Sequence, residues 1–266
     1  VSIILHKMKR THSNLSAEDF TTSSIIRFGG LDDYIEEKMM VDYFIIEGNL
    51  GISRGVRMYL LNQIRRLKEV KQIKILDAGC AIGALTSLLV MQELARAGLL
   101  HKTKLILLDV SERVIHKTQM RNFQFPSNLV NSLLKFKIYE KLRHSKGLVA
   151  SCEDIPLKDN SIDISLAGFL FQHLHDKTKK KAAEELQRVT KPGGFIGVAE
   201  SWFEDHSDYL KIHEHDEIPL AHEAPISYRR LRQNFKNTEI FEANSPIRRG
   251  TENEHFYYFC GMKKAA

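Results

Sequence analysis

The chain has 266 residues, is 43% hydrophobic and 27% charged, and carries a formal net charge of +6. That balance excludes a disordered or fibrous polymer and leaves enough apolar material for one large globular domain with a real core. No apolar stretch approaches the roughly eighteen residues of a membrane span, and residues 1–5 are too short for a signal-peptide core, so a soluble cytoplasmic protein is expected.

The three cysteines, Cys80, Cys152 and Cys260, are odd in number and widely spaced, which supports neither a disulfide framework nor a cysteine zinc site. The basic residues are scattered rather than blocked. Even the densest run, Lys177 to Lys181, opens a helical pattern and reads as a solvated face, so a nucleic-acid partner is not expected.

Residues 1 to about 30 mix Ser, Thr, Lys and His without periodicity and read as a loosely packed arm. The apolar spacing then predicts one helix over 31–47, through Tyr34, Ile35, Met39, Phe44 and Ile45, and a second over 53–71, through Val56, Tyr59, Leu60, Ile64 and Leu67. From Lys74 an apolar run stops abruptly in small residues, Asp77-Ala78-Gly79-Cys80-Ala81-Ile82-Gly83-Ala84, and a helical pattern follows to Leu99. Strand, tight turn and helix in that order bring backbone amides close to a ligand at a helix N-terminus. A dinucleotide fingerprint would need glycine at 79, 81 and 84, and two of the three are alanine.

The next apolar run, Lys104 to Leu108, ends in Asp109, the pattern of a strand buried on both faces. A carboxylate at that place can accept hydrogen bonds from the two hydroxyls of a ribose, or it can cap a helix over 111–121. A longer connection, 122–146, contains an additional helix. A short strand from Gly147 then leads into Ser151-Cys152-Glu153-Asp154, and Ile162 to Gly168 reads as the fourth strand. Phe169 to Asp176 follows it where ligands sit in α/β sheets, beyond the carboxyl ends of strands. A helix from Asp176 to Val189, the turn Lys191-Pro192-Gly193-Gly194 and a strand over 195–200 come next. The chain closes with a helix over 228–235 and an antiparallel strand pair, 238–243 with 255–262.

The turn Asp77-x-Gly79-x-Ala81-x-Gly83, the acid Asp109, the segment around Ser151 and the Lys-Pro-Gly-Gly turn together resemble, over residues 70 to 262, the class I S-adenosylmethionine-dependent methyltransferases. The resemblance implies a doubly wound, Rossmann-like seven-stranded sheet, mostly parallel with an antiparallel C-terminal strand. It also implies S-adenosylmethionine as cofactor. Residues 1–70 would be an arm with helices capping the pocket, and 71–266 the cofactor-binding core with a substrate-framing insertion at 201–226.

By the same resemblance Asp77, Gly79, Cys80, Ala81 and Gly83 would cradle the methionine part, Asp109 with Val110 the ribose side, and Ser151, Cys152 and Glu153 the adenine. Gly168 and Phe169 would lie beside the sulfonium. Where many relatives place an acid near the adenine amine, this chain has Ser151. Tyr34 and Tyr43 are candidates for the acceptor side, and so is His173, which is also the candidate catalytic base.

The fourth strand is not followed by the Asn-Pro-Pro-aromatic run of amino-methylating nucleic-acid enzymes, nor by the Pro-Cys pair of cytosine-carbon methylases. A small-molecule acceptor is therefore expected, with RNA or protein substrates and a cofactor-binding but idle scaffold as alternatives. His206, His213, His215 and His222, set among carboxylates, have the composition of a divalent-metal site or of a charged surface helix. Methyl transfer needs no metal, and none is assigned.

Overall fold

The computed structural model describes residues 43–81, 84–120, 137–174, 176–203, 228–243, 247–248 and 254–265. In chain order these form helix α1 (Tyr43–Glu69), β1 (Ile73–Ala78), α2 (Leu85–Arg96), β2 (Thr103–Asp109), α3 (Glu112–Met120), α4 (Ile138–Arg143) and β3 (Lys146–Val149). There follow β4 (Ile162–Gly168), a 3-10 turn (Phe171–His173), α5 (Asp176–Val189), β5 (Thr190–Phe203), α6 (Tyr228–Asn234), β6 (Thr238–Ala243), β7 (Ile247–Arg248) and β8 (Glu254–Lys263).

Seven strands pair in the order β3-β2-β1-β4-β5-β8-β6, and the two-residue β7 pairs with β8 off that path. β3, β2, β1, β4 and β5 are mutually parallel, while β8 runs antiparallel to both β5 and β6. This is the expected doubly wound sheet with one reversed strand. The order turns back between β1 and β4, so a crevice opens at their carboxyl ends.

Strand alternation sorts the core onto two faces. Ile75, Leu105, Leu107, Ile164, Leu166 and Phe195 point to the face that also holds α1, α2 and α4. Leu76, Ile106, Leu108, Ala167, Ile196 and Val198 point to the face covered by α5 and α6. Every apolar residue of a central strand therefore finds a partner layer, which is why these strands read as unbroken hydrophobic runs.

α1 corrects the sequence reading. Two helices were expected over 31–47 and 53–71, yet one helix runs unbroken from Tyr43 to Glu69. The glycines that looked like a break are the contact surface. A Cβ built on Gly51 would fall 2.2 Å from the Tyr258 ring, and one on Gly55 2.3 Å from Cys260 Sγ. Bare backbone lets the helix lie directly on β8. Since Tyr258 pairs with Ala199 near the carboxyl end of β5, the N-terminal end of α1 stands on the crevice side of the sheet.

The Lys-Pro-Gly-Gly segment also differs. It does not precede β5 but sits inside it as an irregularity, because Ile162 pairs with Thr190 and Ile164 already with Phe195. Gly193, at φ 69°, supplies the left-handed residue this needs.

Candidate active site

The turn after β1 is built by hydrogen bonds to the neighbouring strand. The amides of Gly79 and Cys80 both donate to the Leu108 carbonyl, at 2.8 and 3.1 Å. Gly79, Ala81 and Ala84 all have positive φ, so two alanines accept the left-handed strain usually given to glycine. Gly79 is irreplaceable for a second reason: a Cβ there would stand 2.7 Å from Leu170 Cδ1, a side chain of the loop after β4. Gly83 lies outside the described residues.

Asp77 is buried at the end of β1. Its carboxylate accepts the Ser87 amide in the first turn of α2, while Oδ2 has no partner among the described residues. Burial raises its pKa to about 7, and the nearby Asp109 charge pushes the same way. Asp109, buried at the end of β2, accepts the Ala81 amide on Oδ2 and the Ser111 amide on Oδ1, both at 3.1 Å. Thr118 Oγ1 donates to the Ala81 carbonyl at 3.1 Å. The cap of α3 is the Ser111 hydroxyl, which accepts the Val114 amide at 3.2 Å, so Asp109 is spared that task.

Val110 follows Asp109 and is 49% exposed, and Val149, which pairs with Asp109 across β3, is 56% exposed. Both valines leave apolar surface exposed at these adjoining strand ends. The Ala150 amide donates to the Asp109 carbonyl at 3.0 Å, and Ser151 turns the chain by accepting the Glu153 amide on its hydroxyl at 3.2 Å. Cys152 is buried, whereas Glu153 is half-buried.

At the end of β4, Gly168 leads into Phe169, whose φ of 56° is forced by the bend away from the sheet. The Phe169 amide still bonds the Ala199 carbonyl of β5 at 2.7 Å. Next, the amides of Phe171 and Gln172 donate to the two carboxylate oxygens of Glu200, at 2.5 and 3.2 Å. Glu200 is fully buried and its pKa is raised to about 8, chiefly by desolvation, against the pull of these amides and of the buried Lys179. His173 ends the 3-10 turn held in this way, although only its backbone is described. The same is true of Tyr43, the first residue of α1, while Tyr34 and the histidine-rich 204–223 segment lie outside the described residues. Among the described residues no cluster has the makings of a metal site.

The site thus gathers Asp77, Gly79, Cys80, Ala81, Asp109, Val110, Gly168 and Phe169 at neighbouring strand ends around the crevice. A family profile described as a methyltransferase domain matches residues 76–198, spanning this turn through β5. Over residues 76–198 the chain is therefore similar to methyltransferase domains. Methyltransferase relatives include an uncharacterized methyltransferase of Schizosaccharomyces pombe, 30% identical over 151 residues, which are 56% of this chain and 48% of that protein. The chain thus spans about half the length of the curated relative it matches.

Among solved structures, a sarcosine dimethylglycine methyltransferase from Galdieria sulphuraria shares the fold at TM-score 0.53 and 15% identity, covering 78% of this chain and 85% of its own. A geranyl diphosphate methyltransferase shares it at TM-score 0.51 and 12% identity, with 78% and 85% covered.

This similarity supports S-adenosylmethionine as the cofactor, and the residues here fit it. The Asp77 Oδ2 without a partner among the described residues and the bare Gly79 backbone suit a compact cationic amino acid part, and the exposed valines offer apolar surface to a base. Sequence reasoning missed Glu200, Leu170 and Val149. Glu200 carried a signal, since it closes an apolar strand run just as Asp77 and Asp109 do.

Proposed function

We propose that the protein transfers a methyl group from S-adenosylmethionine to a small-molecule acceptor in the cytoplasm. The observation that carries this reading is the pair of buried acids, Asp77 and Asp109, closing adjacent strands around a glycine turn at the crevice. When bound, the cofactor supplies a methyl group on a positively charged sulfur, ready for in-line displacement.

The chain's own task is to orient and to exclude water. Asp77 and the turn from Gly79 to Gly83 hold the amino acid part, and Asp109 with Val110 holds the ribose. The segment from Ser151 to Glu153 faces the base, while Gly168 and Phe169 flank the sulfur. Ser151 spends its hydroxyl on the Glu153 amide, so base contacts in this reading fall to backbone groups and to the exposed Val110 or Val149.

His173 is the candidate general base, set on the turn that follows β4. The domain ahead of residue 70 serves as the acceptor-side cap, with Tyr34 and Tyr43 its candidate contacts, and 201–226 frames the acceptor. A small-molecule acceptor is supported by relatives of the fold named for sarcosine and geranyl diphosphate. The free, buried cysteines suit a reducing compartment. No described helix is long and apolar enough to cross a membrane.

The test is calorimetry with S-adenosylmethionine and S-adenosylhomocysteine, followed by methyl transfer from labelled cofactor to a metabolite panel and to bulk RNA and protein. Micromolar binding with label in small molecules supports the reading. Label confined to RNA or protein replaces the acceptor class, and binding without transfer to anything leaves the idle scaffold.

A further inference from the structure

Among the described residues, Glu200 is the buried carboxylate at the crevice that the cofactor assignment leaves unused. It stands on β5, one residue past Ala199, the partner of the last residue of β4. An acid buried in a sheet is costly unless its oxygens are occupied, and here both are, by the first amides of a 3-10 turn on the neighbouring strand's loop. Leu170, the residue before that turn, offers no side-chain cap, so the acid from β5 caps it instead. The same Leu170 rests against the Gly79 backbone so closely that a Cβ there would collide with it.

We infer that Glu200 is a positioning residue: its carboxylate fixes the loop from Phe169 to His173 so that Leu170 presses on the cofactor turn at Gly79. This rests on the cofactor reading above and adds a residue to it. The strut links three elements that sequence keeps far apart: β5, the loop after β4 and the turn after β1. The groups facing Glu200 are Lys179 from α5 and Tyr257 from β8, with Tyr228 of α6 edge-on to Tyr257 at 5.5 Å between centroids. Lys179 favours the ionised carboxylate, and an ionised carboxylate is the stronger acceptor for both amides.

The experiment compares wild type, Glu200→Gln, Leu170→Ala and the double variant, with S-adenosylhomocysteine as calorimetric probe and hydrogen exchange read at Phe171 and Gln172. Each single change is expected to weaken the probe about tenfold, and the double variant by little more than either alone, because both cut the same strut. Exchange at Phe171 and Gln172, corrected for its intrinsic base catalysis, should gain protection as pH rises through about 8 in wild type and stay flat in Glu200→Gln. Amides of the β1–β2 ladder should not change, which separates loosening of the loop from general unfolding.

Additive losses in the double variant, or an unchanged pH profile in Glu200→Gln, overturn the inference. Should Glu200→Gln fail to fold, Leu170→Ala carries the test, since it leaves the carboxylate in place and must still weaken the probe while preserving the pH profile. If wild type binds no probe at all, the cofactor reading falls, and the exchange profile still decides the strut.

Discussion

Asp77 is an acid held between two demands. Folding buries it, which favours the neutral form, while a bound ammonium group would favour the charged one. With a pKa of about 7 in the free protein, ligand binding must expel a proton below that value. The affinity for S-adenosylhomocysteine is therefore expected to rise by up to about tenfold per pH unit on approach to pH 7 and to level off above it. Calorimetry across pH, repeated on Asp77→Asn, checks this: the variant should bind more weakly and lose the slope.

Asp109 has a different job. It already ties Ala81 and Ser111 by charge-assisted bonds, so Asp109→Ala removes these two as well as any ligand contact. A loss of about 3 kcal/mol in binding, more than a hundredfold in affinity, is expected, with a drop in melting temperature that a ligand-only residue would not show.

The seam between α1 and β8 gives a prediction of unusual sign. Glycine to alanine inside an exposed helix stabilises by about 1 kcal/mol, yet at position 55 the added methyl would meet Cys260 Sγ at 2.3 Å. Gly55→Ala is expected to destabilise by about 1 to 3 kcal/mol in urea unfolding, and Cys260→Ala in the same chain should recover part of the loss.

This seam also shows what sequence could and could not disclose. β1, β2 and β4 were legible because central parallel strands must be apolar on both faces, and an acid at the end marks where the sheet meets solvent. α1 reads as two helices in the sequence because glycine looks the same whether it ends a helix or lets one touch a sheet. Only the position of Tyr258 and Cys260 distinguishes the cases. Glu200 hid for the same reason. Its partners are backbone amides of another loop, and backbone groups leave no trace in residue identity.

At the scale of the whole molecule, two buried acids among the described residues bear on the pH behaviour of the free protein. Asp77 and Glu200 both have folded pKa values, about 7 and about 8, above their ordinary values of 3.8 and 4.5. The folded state thus holds more protons than the unfolded one between those limits, and the stability present at low pH is lost as pH rises through the folded values. Each acid contributes at most about 1.4 kcal/mol per pH unit over its window. Thermal melts without ligand should show a lower melting temperature at pH 8.5 than at 5.5, and Glu200→Gln should flatten that decline.

The reversed strand β8 has a practical consequence. It begins on the ligand side, with Tyr258 beside Ala199, and descends to Lys263, whose ammonium reaches Asn160 and the Thr190 carbonyl at the far edge of the sheet. A handle grafted after Lys264 would hang roughly 20 Å from the level of Tyr258, at about 3.4 Å per residue, whereas one placed ahead of Tyr43 would emerge where ligands enter. Immobilising the protein on a sensor chip through its rear should therefore leave the entrance clear, and anchoring it from the front should obstruct titration.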